Sequence, residues 1–101
     1  MENTQGFSCA LTTPELQERK ATIIKDLKSL LVEKEELSDG YIYKFESSDE
    51  NIDILTEFVK TERQCCSFFN FNLEIQNNHL AQLKITGKPG AKEFLETELQ
   101  L

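Results

Sequence analysis

Three cysteines are the residues of this chain best suited to chemistry. Cys65 and Cys66 are adjacent in the stretch TERQCCSFFNF, and Cys9 lies far from them in the sequence. Thiolates prefer soft ions such as Hg(II), Cu(I), Zn(II) and trivalent arsenic, because sulfur is polarisable. Three converging sulfurs would make a trigonal site for one such ion. The same cysteines also fit a burial role, since free Cys is among the most buried residue types.

The elements around the paired cysteines predict a helix that ends at them. Ser47 and Glu50 form a capping-box pattern before it, and apolar side chains then recur at helical spacing. A helix C-terminus carries the negative end of the dipole and should raise thiol pKa values. Glu62 lies one helical turn before Cys66. It could accept a hydrogen bond that supports a metal ligand, but it is interpreted as part of a solvated helix face. The predicted buried stripe is Ile52, Leu55, Val59 and Cys66, with Phe58 and Cys65 beside it.

The rest of the chain predicts alternating strands and helices in the order βαββαββα. Thr13 and Pro14 mark the start of the first helix, and Ser38-Asp39-Gly40 marks a hairpin turn. Asn77-Asn78 predicts a second hairpin turn, and the last helix is expected to begin near Pro89. The predicted strands are residues 7–11, the two arms of the hairpin in 32–47, and residues 69–75 and 79–87.

This order predicts an α+β fold in a single domain spanning residues 1–101. Its first six elements match the split βαβ order, so we expect a ferredoxin-like open antiparallel sheet with the helices mainly on one face. In that arrangement the first strand lies centrally. Cys9 would then approach the element that follows the second helix, where Cys65 and Cys66 lie.

Composition excludes several classes of function. The net charge of −7 and the absence of a basic patch argue against nucleic-acid binding, which depends on Lys and Arg. No apolar run is long enough for a membrane span, and the first residues lack a signal-peptide pattern, so a cytoplasmic location is expected. An odd cysteine count in a reducing compartment favours free thiols over disulfides.

Other candidate residues give weaker signals. His79 is the single histidine and lies beside a predicted turn, which favours an exposed turn residue over a ligand. The stretch GKPGAK, residues 87–92, departs from the phosphate-loop pattern and is interpreted as a Gly/Pro turn. No Ser/His/Asp arrangement is visible, so the sequence does not require an enzyme.

Four segments resemble a poorly characterised family of small bacterial proteins, found alone or associated with regulators of the mercury-resistance type. The segments are SCAL at 8–11, ERQCCSFFNF at 62–71, LKITG at 83–87 and GAKEFL at 90–95. The Glu-Arg-x-Cys-Cys-x-Phe-x-x-Phe pattern is the specific part. This chain has Ser67 where the family often has Pro. The resemblance implies a thiol role for Cys9, Cys65 and Cys66 in handling a toxic soft metal or metalloid.

The leading hypothesis is therefore a binding protein that sequesters or senses a soft ion through Cys9, Cys65 and Cys66, with Hg, Zn and Cu as candidate ions. Phe68, Phe69 and Phe71 would restrict water at that site. One alternative is a thiol redox protein in which one of the paired cysteines attacks and another thiol resolves. A second alternative is a non-catalytic interaction module with structural cysteines, which self-associates through an exposed sheet edge or an apolar patch. A homodimer is also among the expected partners.

Overall fold

Helices and strands alternate in the computed structural model, which describes residues 13–66, 68–76 and 79–101, with Cys65 described by its backbone. Within these residues the order is αββαββα. The helices are α1 (Pro14–Leu30), α2 (Asp49–Cys65) and α3 (Ala91–Leu99). The strands are β1 (Glu33–Leu37), β2 (Gly40–Glu46), β3 (Phe69–Ile75) and β4 (Leu80–Gly87). The first predicted strand, residues 7–11, and the predicted turn at 77–78 lie outside the described residues.

The four strands form one antiparallel sheet in the order β1-β2-β4-β3. Tyr43 pairs with Leu83, and Phe71 pairs with Ile85, so the apolar positions of neighbouring strands share one face. At Gly40 a Cβ atom would lie 1.9 Å from the Ile85 carbonyl oxygen, so this close approach of β2 to β4 needs glycine. The predicted ferredoxin-like, open antiparallel α+β architecture is confirmed.

The central positions of the sheet belong to β2 and β4. Strands β2 and β3 run parallel to each other with β4 between them, and α2 connects them, which is a split βαβ unit. The strand that carries Cys9 was expected in a central position of the sheet. Each neighbouring pair of the described strands is hydrogen-bonded. Residues 7–11 lie outside the described residues, so the placement of their strand stays a prediction, whereas the type of sheet is as predicted.

The core lies between the helices and one face of the sheet. Alternate residues of β2 and β4 point into this core. In β4 these are Ala81, Leu83 and Ile85, which were predicted to face inward and are all fully buried. Among the described helices, none combines the length and the apolar composition that a membrane span needs. The helix residues buried against the sheet include Leu27, Leu55, Phe58, Leu95 and Leu99.

Helix caps follow the sequence with one correction. Thr13 caps α1 as predicted, since its hydroxyl accepts a hydrogen bond from the Leu16 N–H at 3.3 Å. The N-cap of α2 is Ser48, whose hydroxyl accepts from the Asn51 N–H at 3.2 Å. The predicted cap, Ser47, instead lies 3.1 Å from two carbonyl oxygens of the segment between β3 and β4. Two adjacent serines offered two caps, and this tertiary contact selects between them.

The first two helices run antiparallel, which decides what lies near the paired cysteines. The Val32 N–H, just after α1, donates to the Lys44 carbonyl at 2.8 Å, close to the end of β2. Helix α2 starts from that same end of β2. The C-terminal end of α1 therefore lies beside the N-terminal end of α2. The N-terminal end of α1 and the C-terminal end of α2 meet at the opposite end of the molecule.

Candidate functional site

Cys66 is the predicted ligand whose surroundings the structure describes. It forms the C-cap of α2, where its N–H donates to the Glu62 carbonyl at 2.6 Å, and it is fully buried. Cys65 is the last residue of α2, and its side chain lies outside the description, as does all of Cys9. The described residues hold no group of three His, Cys, Asp or Glu side chains arranged for a metal ion. The three-cysteine site thus stays a prediction.

Glu62 lies beside Cys66 and is fully buried, so its interpretation as part of a solvated face is wrong. Its carboxylate faces the Cys66 thiol and the Lys20 ammonium, and both favour its charged form. The Lys20 ammonium is 3.5 Å from Glu62 Oε1 and provides charge compensation across the α1–α2 contact. A buried carboxylate is nevertheless costly to keep charged, because burial removes its hydration.

Lys20 joins the three helices through two carboxylates. Its ammonium pairs with Glu62 of α2 and with Glu98 of α3, and only 8% of the Lys20 side chain is exposed. Burial alone would lower the pKa of Lys20, but the hydrogen bond from its ammonium to Glu98 and the charge of Glu62 together raise it. The ammonium is therefore charged at neutral pH. We refer to Lys20, Glu62, Glu98 and Cys66 as the helix-junction cluster.

Lys20 was not predicted and Glu62 was misinterpreted, although the spacing of both residues carried a signal. Lys20 comes three residues before Ile23, which is buried in α1. Glu62 comes four residues after Phe58 and four before Cys66, both of them buried. Each charge therefore occupies an apolar position of its own helix. Two opposite charges in such positions on different helices predict a buried pair.

Burial raises the pKa of the Cys66 thiol to about 12, and the neighbouring Glu62 carboxylate adds to the effect. Burial also raises the pKa of Glu62, against the opposing effect of the Lys20 ammonium. The thiol of Cys66 is thus protonated at neutral pH and is not an activated nucleophile. The expected rise in thiol pKa is confirmed for Cys66, with burial as its main cause.

Aromatic rings surround the chain that follows Cys66. The Phe69 N–H donates to the Cys66 carbonyl at 3.2 Å. The ring of Phe68 lies 4.8 Å from that of Phe69 and 5.4 Å from that of Phe94, between centroids. The ring of Phe71 packs edge-on against Phe69 at 6.1 Å. This aromatic group lies next to the end of α2, and the expected restriction of water there stays a prediction.

The weaker candidates agree with their structural interpretations. His79 is exposed, as predicted for a turn residue. Gly90, within the stretch GKPGAK, has a φ of 98°, a conformation that favours glycine and fits the predicted turn. The helix that follows starts at Ala91 and not at Pro89. Neither His79 nor the GKPGAK turn belongs to the helix-junction cluster.

Comparison with protein-family models, with curated proteins and with solved structures gives no significant match to this chain. The resemblance of the Cys-Cys segment to a family of small bacterial proteins therefore stays a prediction.

The buried charge of Glu62 leads to a prediction about stability. Glu62→Gln should raise the free energy of unfolding by about 1 kcal/mol at neutral pH, because it removes a poorly solvated carboxylate while Lys20 keeps Glu98. A carboxyl group with a raised pKa contributes stability below its unfolded pKa and loses it as the pH rises through its folded pKa. The two proteins should therefore converge in acid. Urea unfolding of the reduced parent and variant, at neutral pH and in acid, measures this difference in stability.

Glu57→Gln is the matched control for that measurement. Glu57 also lies on α2 and pairs with a cation of α1, Arg19, but this pair is solvent-exposed. The control should stay within about 0.5 kcal/mol of the parent at either pH. A large loss in Glu62→Gln at neutral pH would show that Lys20 depends on Glu62 more than on Glu98.

Proposed function

We propose that this protein binds a soft metal or metalloid ion as its cargo through the thiolates of Cys9, Cys65 and Cys66, for sequestration or sensing. Thiolates are the preferred donors for such ions, and two of the three cysteines are consecutive residues at the end of α2. Hg(II), Zn(II) and Cu(I) are the ions to test first. The proposal assigns no catalytic reaction to the chain.

The observation that carries this proposal is the buried carboxylate of Glu62 beside the Cys66 thiol. The Lys20 ammonium, 3.5 Å away, compensates the charge of this carboxylate but is shared with Glu98. A cation held by neighbouring sulfurs would add positive charge beside the carboxylate. The surrounding aromatic rings would exclude the water that competes for a bound ion.

The helix arrangement supports the participation of Cys9. The N-terminal end of α1 and the C-terminal end of α2 lie at the same end of the molecule. Cys9 precedes the α1 N-cap, Thr13, by four residues, and four extended residues span at most about 14 Å. This length bounds the distance between Cys9 and the start of α1. It supports convergence of the three sulfurs without needing a central strand.

The redox alternative receives less support from Cys66 than metal binding does. Attack on a disulfide or peroxide needs a thiolate beforehand, and the pKa of Cys66 is raised to about 12 by its burial and by Glu62. A binding metal ion, by contrast, displaces the thiol proton itself. A redox role would therefore have Cys65 as the attacking residue. Rapid alkylation of one thiol in mildly acidic solution would favour that alternative over metal binding.

The test of the proposal is a metal titration of the full, reduced chain followed by native mass spectrometry. We expect one ion per chain. Each of Cys9→Ser, Cys65→Ser and Cys66→Ser should lower the affinity for the ion by more than about 100-fold. The loss of a ligand should exceed the roughly 10–100-fold effect of changing a residue that only supports a ligand. Ser67→Ala is a control that keeps all three thiols. X-ray absorption of the zinc form should show Zn–S distances of about 2.3 Å. Stoichiometric binding that survives in all three cysteine variants would remove this site.

A further inference from the structure

The two edges of the described sheet differ in charge. At one edge, β1 exposes four consecutive charged residues, 33–36, which disfavour pairing with another strand. At the other edge, β3 carries a single charged residue, Glu74, and no proline. No described strand lies on the outer side of β3. Its backbone is therefore suited to pairing.

Apolar surface accompanies the edge of β3. Ile75 is 43% exposed, which makes it one of the most exposed large apolar side chains among the described residues. Phe71 and Leu73 are only partly buried, and with α2 they line an open groove of about 270 Å³. Polar groups contribute little to this groove, which is also lined by Thr56, Val59 and Lys60. An apolar groove next to an unpaired strand edge fits β-strand addition by a partner that brings its own apolar face.

We propose that β3 pairs antiparallel with β3 of a second copy of this chain, about a two-fold axis at Asn72. This register places Phe71 opposite Leu73 and Phe69 opposite Ile75 on the face that carries the helices. On the other face, Asn72 meets its own copy and Asn70 lies opposite Glu74. All seven residues of the strand are paired, and the two sheets become one. The dimer goes beyond metal binding and does not depend on it.

The register follows from the alternation of the strand. Residues directly opposite in an antiparallel pair point to the same face, so the axis must pass through a residue and not between two. An axis at Phe71 or at Leu73 would leave residues of β3 without an opposite residue in the second strand. An axis at Asn72 pairs the whole strand and keeps the two Glu74 carboxylates apart. The grooves beside α2 in the two copies then face each other and cover the exposed Ile75 side chains.

The test uses charge changes on the exposed face of β3, measured by sedimentation velocity of the full reduced chain from micromolar to submillimolar concentrations. Asn72→Glu puts two carboxylates together at the axis but lies opposite Lys84 within its own sheet, so folding is preserved. It should weaken the dimer about two- to fivefold. Asn70→Lys gains two pairs with Glu74 of the other copy and should strengthen the dimer roughly four- to twenty-five-fold.

Asn70→Glu is the matched control, because it changes the same residue with the opposite charge. Asn70 faces the uncharged Thr86 within its own sheet, so both variants at this position should fold alike. Asn70→Glu should weaken the dimer by the same factor by which Asn70→Lys strengthens it, and high salt should reduce both effects. A chain that stays monomeric throughout the concentration range would overturn the proposal. So would a dimer whose dissociation constant ignores the sign of the charge at residue 70.

Discussion

Replacing Lys20 by Met should lower the free energy of unfolding by about 3–5 kcal/mol, since removing one partner leaves the buried charge of the other uncompensated. Lys20 is the cation for both Glu62 and Glu98. Glu98 is 22% exposed and can recover hydration, whereas Glu62 is fully buried and cannot. Methionine keeps the length of the aliphatic stem, so the loss reports the charge and not a cavity. Urea unfolding of the reduced protein at neutral pH measures it.

Arg19→Met is the control, because Arg19 is the neighbouring cation of α1 and pairs with Glu57 of α2. The Arg19 side chain is 55% exposed, and such a pair contributes at most about 1 kcal/mol. Equal losses in the two variants would contradict the assignment of Lys20 as the central charge of the helix junction.

The double variant Lys20→Met with Glu62→Gln tests how the loss arises. If the cost of Lys20→Met comes from the stranded carboxylate of Glu62, the second change should recover part of it. We expect the second change to restore about 2 kcal/mol of the free energy of unfolding. In Lys20→Met the buried charge of Glu62 has lost Lys20, whereas in the double variant that charge is absent. Additive effects of the two changes would instead point to Glu98 as the residue that needs Lys20.

The fold could be predicted from the sequence where periodicity and turn chemistry agree. Thr13-Pro14 starts α1, and the alternation of Leu83 and Ile85 with polar residues sets the buried face of β4. The strand order could not be predicted from the sequence. The central positions depend on pairing between β2 and β4, which are far apart in the chain. Local pattern cannot distinguish β4 from the first predicted strand as the neighbour of β2.

The candidate site could be predicted only in part. The paired cysteines and the end of their helix follow from the sequence, and α2 does end at Cys65. Glu62 was misinterpreted because a glutamate on a helix is usually solvated, and its burial depends on a cation from another helix. A single charged residue on an apolar stripe gives no reason to expect burial. The burial of Glu62 is stabilised by its pairing with Lys20, which is a tertiary contact.

The helix-junction cluster also explains why the end of α2 is held in place. Lys20 ties α1 and α3 to the last turn of α2, directly beside the Cys66 thiol. Loss of this contact would free the helix end that carries the paired cysteines. If the proposed ion binds there, its affinity and the stability of the helix junction should be coupled, and Lys20→Met should lower both.

Alkaline unfolding should begin well below the pH at which the folded Cys66 thiol ionises. Burial, aided by Glu62, raises the pKa of this thiol to about 12, whereas an unfolded thiol ionises near about 8.5. The folded state holds the proton more tightly, so the stability from Cys66 is fully present below the unfolded pKa and declines as the pH rises toward the folded one. The decline approaches about 1.4 kcal/mol per pH unit, which amounts to about 3 kcal/mol by pH 11. Tyr43, whose pKa is raised mainly by burial, adds to the loss at higher pH.

Cys66→Ala separates the thiol from the tyrosine, because alanine does not titrate and Tyr43 remains. The variant should be less stable than the parent at neutral pH, since it loses buried volume. Its stability should nevertheless stay level until Tyr43 starts to contribute, near the pKa of about 10 of an unfolded tyrosine. The two stability curves should therefore approach each other between about pH 8.5 and 11. Parallel curves across that range would mean that the Cys66 thiol ionises as easily in the folded chain as in the unfolded one.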